Sequence, residues 1–164
     1  MQAMISRIEG RVGELAAFSV ARRAVCNDDL AAALPVLERL SVAEPDNCEL
    51  RLYTVWTRHR LDADADSARL AAIEELARAV LAAHASLALP LCILGHCAAR
   101  RRELRVARGL FRHAAEADPS LVDARRGLRA VEQALARPPG SRASLATTIG
   151  MALTLSLLGF LRFT

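Results

Sequence analysis

The chain has 164 residues, enough for one domain with a substantial core but not for two large domains. Hydrophobic residues make up 53% of it and aromatic residues only 4%, which favours helices packed through alanine and leucine over a β-sandwich. The formal net charge is +4 and uneven: residues 1–82 carry 10 arginines and 13 acidic residues, whereas residues 83–164 carry 12 and 5. All 22 basic residues are arginine, which, with the many alanines, is typical of a GC-rich bacterial genome.

The four cysteines show no spacing typical of a disulfide framework. Residues 1–20 contain Glu9 and Glu14 and no uninterrupted apolar stretch, so no secretory signal peptide is expected there. Both observations favour reduced cysteines in a cytosolic domain.

The first predicted elements are a short lead-in and a pair of helices. Residues 1–13 are the lead-in, with apolar residues at helical spacing. Helices are predicted from about residue 14 to 26 and from 30 to 42. Asn27-Asp28-Asp29 separates them, and Glu44-Pro45 ends the second, because proline cannot continue a helix.

A second pair of helices is predicted over residues 48–61 and 67–84. The first of these carries too many apolar residues for one face, so the orientation of Trp56 stays open. The linker between them is longer than a tight turn, and its acidic residues suit the N-terminus of the helix that follows. The apolar face of that following helix is predicted to be Ala72, Leu76 and Ala79.

The most regular pair covers residues 88–121. Its first helix shows one face of Leu91, Leu94, Gly95 and Ala98, and its second helix one face of Ala107, Leu110, Phe111 and Ala114. Asp118-Pro119 ends the second helix. The spacing Ala107…Phe111…Pro119 repeats the spacing Ala33…Leu37…Pro45, and the offset between the two copies equals two such units plus a small insertion.

This hairpin of about 34 residues resembles the tetratricopeptide repeat (TPR) family. The family's signature spacings are met by Leu94-Gly95, Ala107, Phe111, Ala114 and Pro119. Tryptophan, tyrosine and glycine, usual elsewhere in the motif, are replaced by Leu91, Ala98 and Arg102. The resemblance implies an all-α fold of about three TPR-like hairpins plus a capping helix over residues 14–136. It also implies a non-catalytic protein–protein interaction adaptor or assembly factor.

The C-terminal part is predicted to be a linker followed by an apolar helix. Residues 137–144 are rich in proline, glycine and serine, and the segment 145–161 carries no charge. At helical rise this segment spans roughly 25 Å, at the lower edge of what crosses a ~30 Å hydrocarbon core. The sequence predicts a tail anchor that holds the repeats on the cytoplasmic face of a membrane, in a bacterium the inner membrane, since the basic half lies beside it. The alternative is a helix that caps the repeats of a soluble module in a larger regulatory or co-chaperone-like protein.

No catalytic site is predicted, because no phosphate-binding glycine loop, carboxylate pair or nucleophile–base set is present. Cys92 and His96, one helical turn apart, could supply two metal ligands, but a structural zinc needs four and no spacing completes the set. No metal, other cofactor or small-molecule substrate is therefore expected. Nucleic-acid binding is a less favoured alternative, because no aromatic residue shares the helix face of Arg105, Arg108 and Arg112, and Phe111 lies on the opposite face.

In TPR proteins the first helix of each hairpin lines a concave groove that receives a peptide or helix. Arginine side chains in such a groove favour an acidic or carboxylate-terminated partner segment. The lysine–asparagine clamp of chaperone-binding TPR proteins is absent, because the chain contains no lysine. Trp56 can equally belong to the core. Carried over to this sequence, the resemblance implies a partner-binding groove of Phe18, Arg22, Leu52, Trp56, His59, Arg60, Cys92, His96, Arg100 and Arg126.

Overall fold

The computed structural model describes residues 2–62 and 67–137, with side chains for residues 12–62 and 68–137. These residues form seven α-helices and no strand, which confirms the predicted all-α class for this part of the chain. The helices are α1 (Gln2–Cys26), α2 (Leu30–Ala43), α3 (Cys48–Leu61), α4 (Ser67–Ala83), α5 (Ala88–Arg100), α6 (Leu104–Ala117) and α7 (Val122–Ala136).

The helices stack as TPR-like hairpins. From α1 to α6 each helix packs against the next, and α1 also contacts α3 while α3 contacts α5. The first helices of the three hairpins therefore lie side by side, as expected for a solenoid of helical repeats.

The turns between successive hairpins repeat the same hydrogen bond. The backbone N–H groups of Asn47, Leu87 and Leu121 each donate to the carbonyl three positions earlier, at 3.2, 3.2 and 3.1 Å. The first two of these turns are farther apart in the chain than the last two, so the insertion predicted from the sequence belongs to the middle hairpin. Asn47 also caps α3, since its side chain accepts a hydrogen bond from the N–H of Leu50.

The turns inside the first and third hairpins share a left-handed residue. Asp28 has φ 70° and Arg102 has φ 67°. In both turns the N–H of the left-handed residue donates to a carbonyl three positions back, and the next N–H donates to one five positions back. This is the Schellman arrangement, which favours glycine at the left-handed position.

The residues of the repeated spacing, Ala33 and Leu37 in α2 and Ala107 and Phe111 in α6, are buried, but the buried face of α4 differs from the predicted one. Ala107, Phe111 and Ala114 are buried in α6. In α4, by contrast, Ala72 and Ala79 are exposed. The buried face of α4 consists of Leu70, Ile73, Ala77 and Val80. The prediction for α4 was wrong by one position, because this face buries larger branched side chains and hence more apolar area.

The boundary predicted between the lead-in and the first helix falls inside α1. Residues 2–13 continue α1 without a break, so they are not a separate lead-in. Residues 138–144 of the predicted linker and the hydrophobic helix predicted over 145–161 lie outside the described residues. Within the described ranges, no helix has the length and apolar character that crossing a membrane requires.

Phe111 fixes how α5, α6 and α7 pack together. Its side chain is 1% exposed and lies between two glycines, Gly95 of α5 and Gly127 of α7. A Cβ atom added at Gly95 would lie 2.8 Å from the ring, and one added at Gly127 would lie 2.5 Å from it. Both glycines are therefore needed for the close approach of the ring, and this packing positions the start of α7 beside α5.

Candidate functional site

A depression of about 270 Å³ opens between α3, α5 and the start of α7. Five of the predicted groove residues line it, together with Leu70 and Asp123, which were not predicted. A second depression, of about 350 Å³, lies between α3 and α4 and contains none of the predicted residues. The predicted residues of the first depression are Trp56, His59, Arg60, His96 and Arg100.

Trp56 is both a core residue and part of this lining. It is 3% exposed and belongs to the core formed by α1–α5. Its ring stacks on His59 with centroids 5.6 Å apart, lies 5.4 Å from the ring of His96, and carries the guanidinium of Arg60 at 5.8 Å. The two interpretations of Trp56 that the sequence left open are thus compatible.

A chain of ion pairs runs along one side of the depression. Arg60 donates from one nitrogen to Asp123 and from the other to Asp28, the latter at 3.1 Å. Arg126 donates to the second oxygen of Asp28. Arg60 and Arg126, two of the predicted groove cations, are therefore neutralised by acidic residues of this same protein that the sequence prediction did not include.

Asp123 is the most buried member of this chain of ion pairs. Its side chain is 10% exposed, and one oxygen, Oδ2, is shared by Arg60, by His96 Nε2 at 3.2 Å and by Cys92 Sγ at 3.8 Å. Burial alone would raise the pKa of Asp123, but the hydrogen bond and charge of His96 and the charge of Arg60 outweigh it and lower the pKa. Asp123 is thus an ionised carboxylate at neutral pH, and it lies in the first turn of α7, where the helix dipole favours negative charge.

Cys92 lies beneath the depression. It is 0% exposed, and burial, together with the negative charge of Asp123, holds the pKa of its thiol well above the usual range. The group is therefore a protonated donor to Asp123. Because the thiolate is the nucleophilic form of cysteine, Cys92 is not placed for nucleophilic catalysis.

His59 is held neutral. Burial and then the positive charge of Arg100 lower its pKa, and its Nδ1 atom is buried with no hydrogen-bond partner in the described part of the chain. Arg100 itself is exposed, and its side chain makes no hydrogen bond or ion pair with any residue that the structure describes. It is the lining cation that remains available to a ligand.

Five predicted groove residues do not line the depression: Cys92 and Arg126, described above, and Phe18, Arg22 and Leu52. Phe18 packs edge-on against Tyr53, with ring centroids 5.5 Å apart. Arg22 is exposed on α1. Leu52 is 0% exposed and lies wholly in the core, so its assignment to a binding surface was wrong. Leu52 and Trp56 are one helical turn apart on the same face of α3, but only Trp56 lines the depression.

No protein-family model and no curated protein matches this chain. A solved structure to which it is similar is the first TPR domain of Spaghetti (RPAP3) bound to the HSP90 peptide SRMEEVD. The sequence identity is 19% and the TM-score 0.45, and the match covers 76% of this chain and 94% of that one.

Proposed function

We propose that this chain is a non-catalytic protein-interaction adaptor or assembly factor that binds an acidic or carboxylate-terminated segment of a partner protein in the depression beside Trp56. The observation that carries this proposal is the position of Arg100. Its guanidinium is exposed, has no ion-pair partner among the described residues, and lies on the rim of a depression that also offers an aromatic ring and Leu70.

The chemistry of the lining suits such a segment. A guanidinium binds a carboxylate through two parallel hydrogen bonds. Arginine and tryptophan are the residue types that most often contribute strongly to binding at interfaces. Because Arg60 is held by Asp28 and Asp123, this wall of the depression is ordered before a ligand arrives, which reduces the entropy cost of binding.

The fluorescence of Trp56 provides a direct test, because it is the single tryptophan of the chain. Acidic heptapeptides that end in a free carboxylate are titrated into the full chain, and the same peptides with an amidated end serve as comparison. The proposal predicts saturable changes in emission for the free carboxylate form and weaker binding for the amide.

Arg100→Glu should weaken this binding at least tenfold, since a like charge replaces the carboxylate-binding group. Arg108→Glu is the matched control, because Arg108 is exposed on α6 and does not line the depression. Equal affinities for the two variants, or no fluorescence change with any acidic peptide, would remove the basis for this function.

We also infer that the apolar segment 145–161 attaches the module to a membrane, with the repeats on the cytoplasmic side. The support is the uncharged stretch itself and the excess of arginine in residues 83–164. Attachment would raise the concentration of the module near membrane-bound partners. After expression in bacteria, the full chain should resist carbonate extraction from membranes, whereas a chain ending at residue 144 should be released. Release of both would contradict membrane attachment.

A further inference from the structure

Three side chains with metal-binding atoms converge at the floor of the depression. Cys92 and His96 lie one helical turn apart on α5, and Asp123 comes from the first turn of α7. Their ligand atoms all lie within 4.8 Å of one another. Two of the three residues are buried, which distinguishes this cluster from the acidic groups of a protein surface.

We propose that Cys92, His96 and Asp123 form a binding site for a divalent transition-metal ion, with zinc as the expected ion. This inference does not depend on the binding of a peptide. Asp123 is the third ligand, which the sequence spacing did not reveal. Cys92 and His96 alone supply only half of a tetrahedral set.

The two distances that involve Asp123 are close to those of a shared ion, whereas Cys92 Sγ and His96 lie within 4.8 Å of each other and must approach further when an ion binds. Zinc bonds of about 2.3 Å to sulfur and about 2.0–2.1 Å to nitrogen and oxygen place tetrahedral ligands about 3.5 Å (S to O) and about 3.3 Å (N to O) apart. The corresponding distances here are 3.8 Å between Cys92 Sγ and Asp123 Oδ2, and 3.2 Å between His96 Nε2 and Asp123 Oδ2. An ion can therefore be accommodated with shifts of a few tenths of an ångström in these two distances.

The choice of ion follows from the ligand types. One thiol, one imidazole and one carboxylate suit a borderline-soft ion such as Zn²⁺, whereas Mg²⁺ and Ca²⁺ prefer oxygen ligands alone. The fourth position can be filled by water, because His96 and Asp123 line a depression with a volume of about 270 Å³. Three protein ligands and a water are the usual arrangement of an open zinc site.

Binding must release one proton. The thiol of Cys92 gives up its proton as sulfur bonds to the ion, and His96 coordinates through Nε2 with its ring proton on Nδ1. The thiolate and the carboxylate together balance the two charges of the ion. Arg60 can keep its hydrogen bond to the Asp123 carboxylate as an outer partner, and it remains paired with Asp28.

The test uses the full chain with Cys48→Ala, because Cys48 is the exposed cysteine and could bind metal adventitiously. Zn²⁺ and Co²⁺ are titrated into the protein at several pH values, in dilute buffer with a pH indicator. We expect one ion per chain, a sulfur-to-cobalt charge-transfer absorption, release of about one proton per ion, and an affinity that rises about tenfold per pH unit.

Two variants in this background distinguish the cluster from other thiols. Cys92→Ser should abolish the charge-transfer absorption and lower the affinity at least a hundredfold. Cys97→Ser, the matched control, changes a buried cysteine of the same helix that lies outside the cluster, and should bind as the parent does. Equal binding by both variants would overturn the proposal.

X-ray absorption of the zinc-loaded Cys48→Ala protein keeps the proposal testable even if Cys92→Ser fails to fold. It should show one sulfur at about 2.3 Å and nitrogen or oxygen ligands at about 2.0–2.1 Å. A shell without sulfur, or no binding of either ion, would mean that the three side chains form a hydrogen-bonded cluster only.

Discussion

The substitution Gly127→Ala should destabilise the protein, although alanine is the better helix former. Gly127 lies in α7 directly against the ring of Phe111. An added Cβ would be 2.5 Å from Cε1 and 2.6 Å from Cζ, whereas carbon atoms in ordinary contact are about 3.5–4.0 Å apart. Either the ring or the helix must therefore move by about 1 Å.

The ring has little room to move. It is 1% exposed, and on the α5 side a Cβ at Gly95 would already be 2.8 Å away, so that space is filled as well. Overpacking a core costs about 1–3 kcal/mol, and the upper half of that range applies where both sides are closed. Replacing glycine by alanine in a helix returns about 1 kcal/mol. The expected net loss is about 1–2 kcal/mol in the free energy of unfolding.

Urea unfolding, followed by circular dichroism, measures this loss as a lower midpoint at unchanged slope. Gly109→Ala is the matched control, because an added Cβ there meets nothing within 4 Å, so the variant should gain up to about 1 kcal/mol. Adding Phe111→Leu should remove the penalty of Gly127→Ala, and the coupling should amount to about 1–3 kcal/mol. If Gly127→Ala stabilises the protein as much as Gly109→Ala does, the described packing of α7 on Phe111 is incorrect.

Three further predictions concern the turns, the buried carboxylate and the thiols. Arg102→Gly should stabilise the protein by about 1 kcal/mol in urea unfolding, since Arg102 has φ 67°, and no change would mean that the left-handed turn is not formed. The pKa of Asp123 is lowered in the folded protein, so the stability it contributes is present above about pH 4 and lost as the pH falls further. Asp123→Asn should cost about 3–5 kcal/mol at pH 7 and flatten this acid dependence, and an unchanged acid profile would exclude the ion pair with Arg60. Of the four thiols, only Cys48 should react quickly with iodoacetamide at pH 8. Burial raises the pKa of the other three thiols, and it raises the pKa of Cys26 to about 11. Detection of two or more fast-reacting thiols by mass spectrometry would contradict the burial of these cysteines.

The order of helices could be predicted because its signals are local. Proline and Asn-Asp turns end helices through backbone geometry that does not depend on the rest of the chain. The helical period identified the buried faces of α2 and α6, where large apolar residues such as Leu37 and Phe111 occur on only one side.

The same period failed in α4 because alanines occur on several sides of that helix. Ala72 and Ala79 match the spacing of the other repeats but are exposed, whereas Ile73 and Val80 are buried. Alanine carries little burial energy, so its position constrains the face less than that of a branched side chain. The offset between the turns at Leu87 and Leu121, visible only in the structure, fixes the correct register.

The candidate site was harder to predict, because availability of a charge depends on tertiary pairing. Arg60 and Arg100 occupy equivalent positions near the ends of α3 and α5, since the offset between them equals that between the first two inter-hairpin turns. The sequence therefore assigned both to the groove for the same reason. Asp28 and Asp123 neutralise Arg60 although they are far apart in the chain, since Asp28 lies in the turn after α1 and Asp123 in the first turn of α7. A carboxylate ligand should consequently depend on Arg100, since Arg60 already has its partners and would have to leave them.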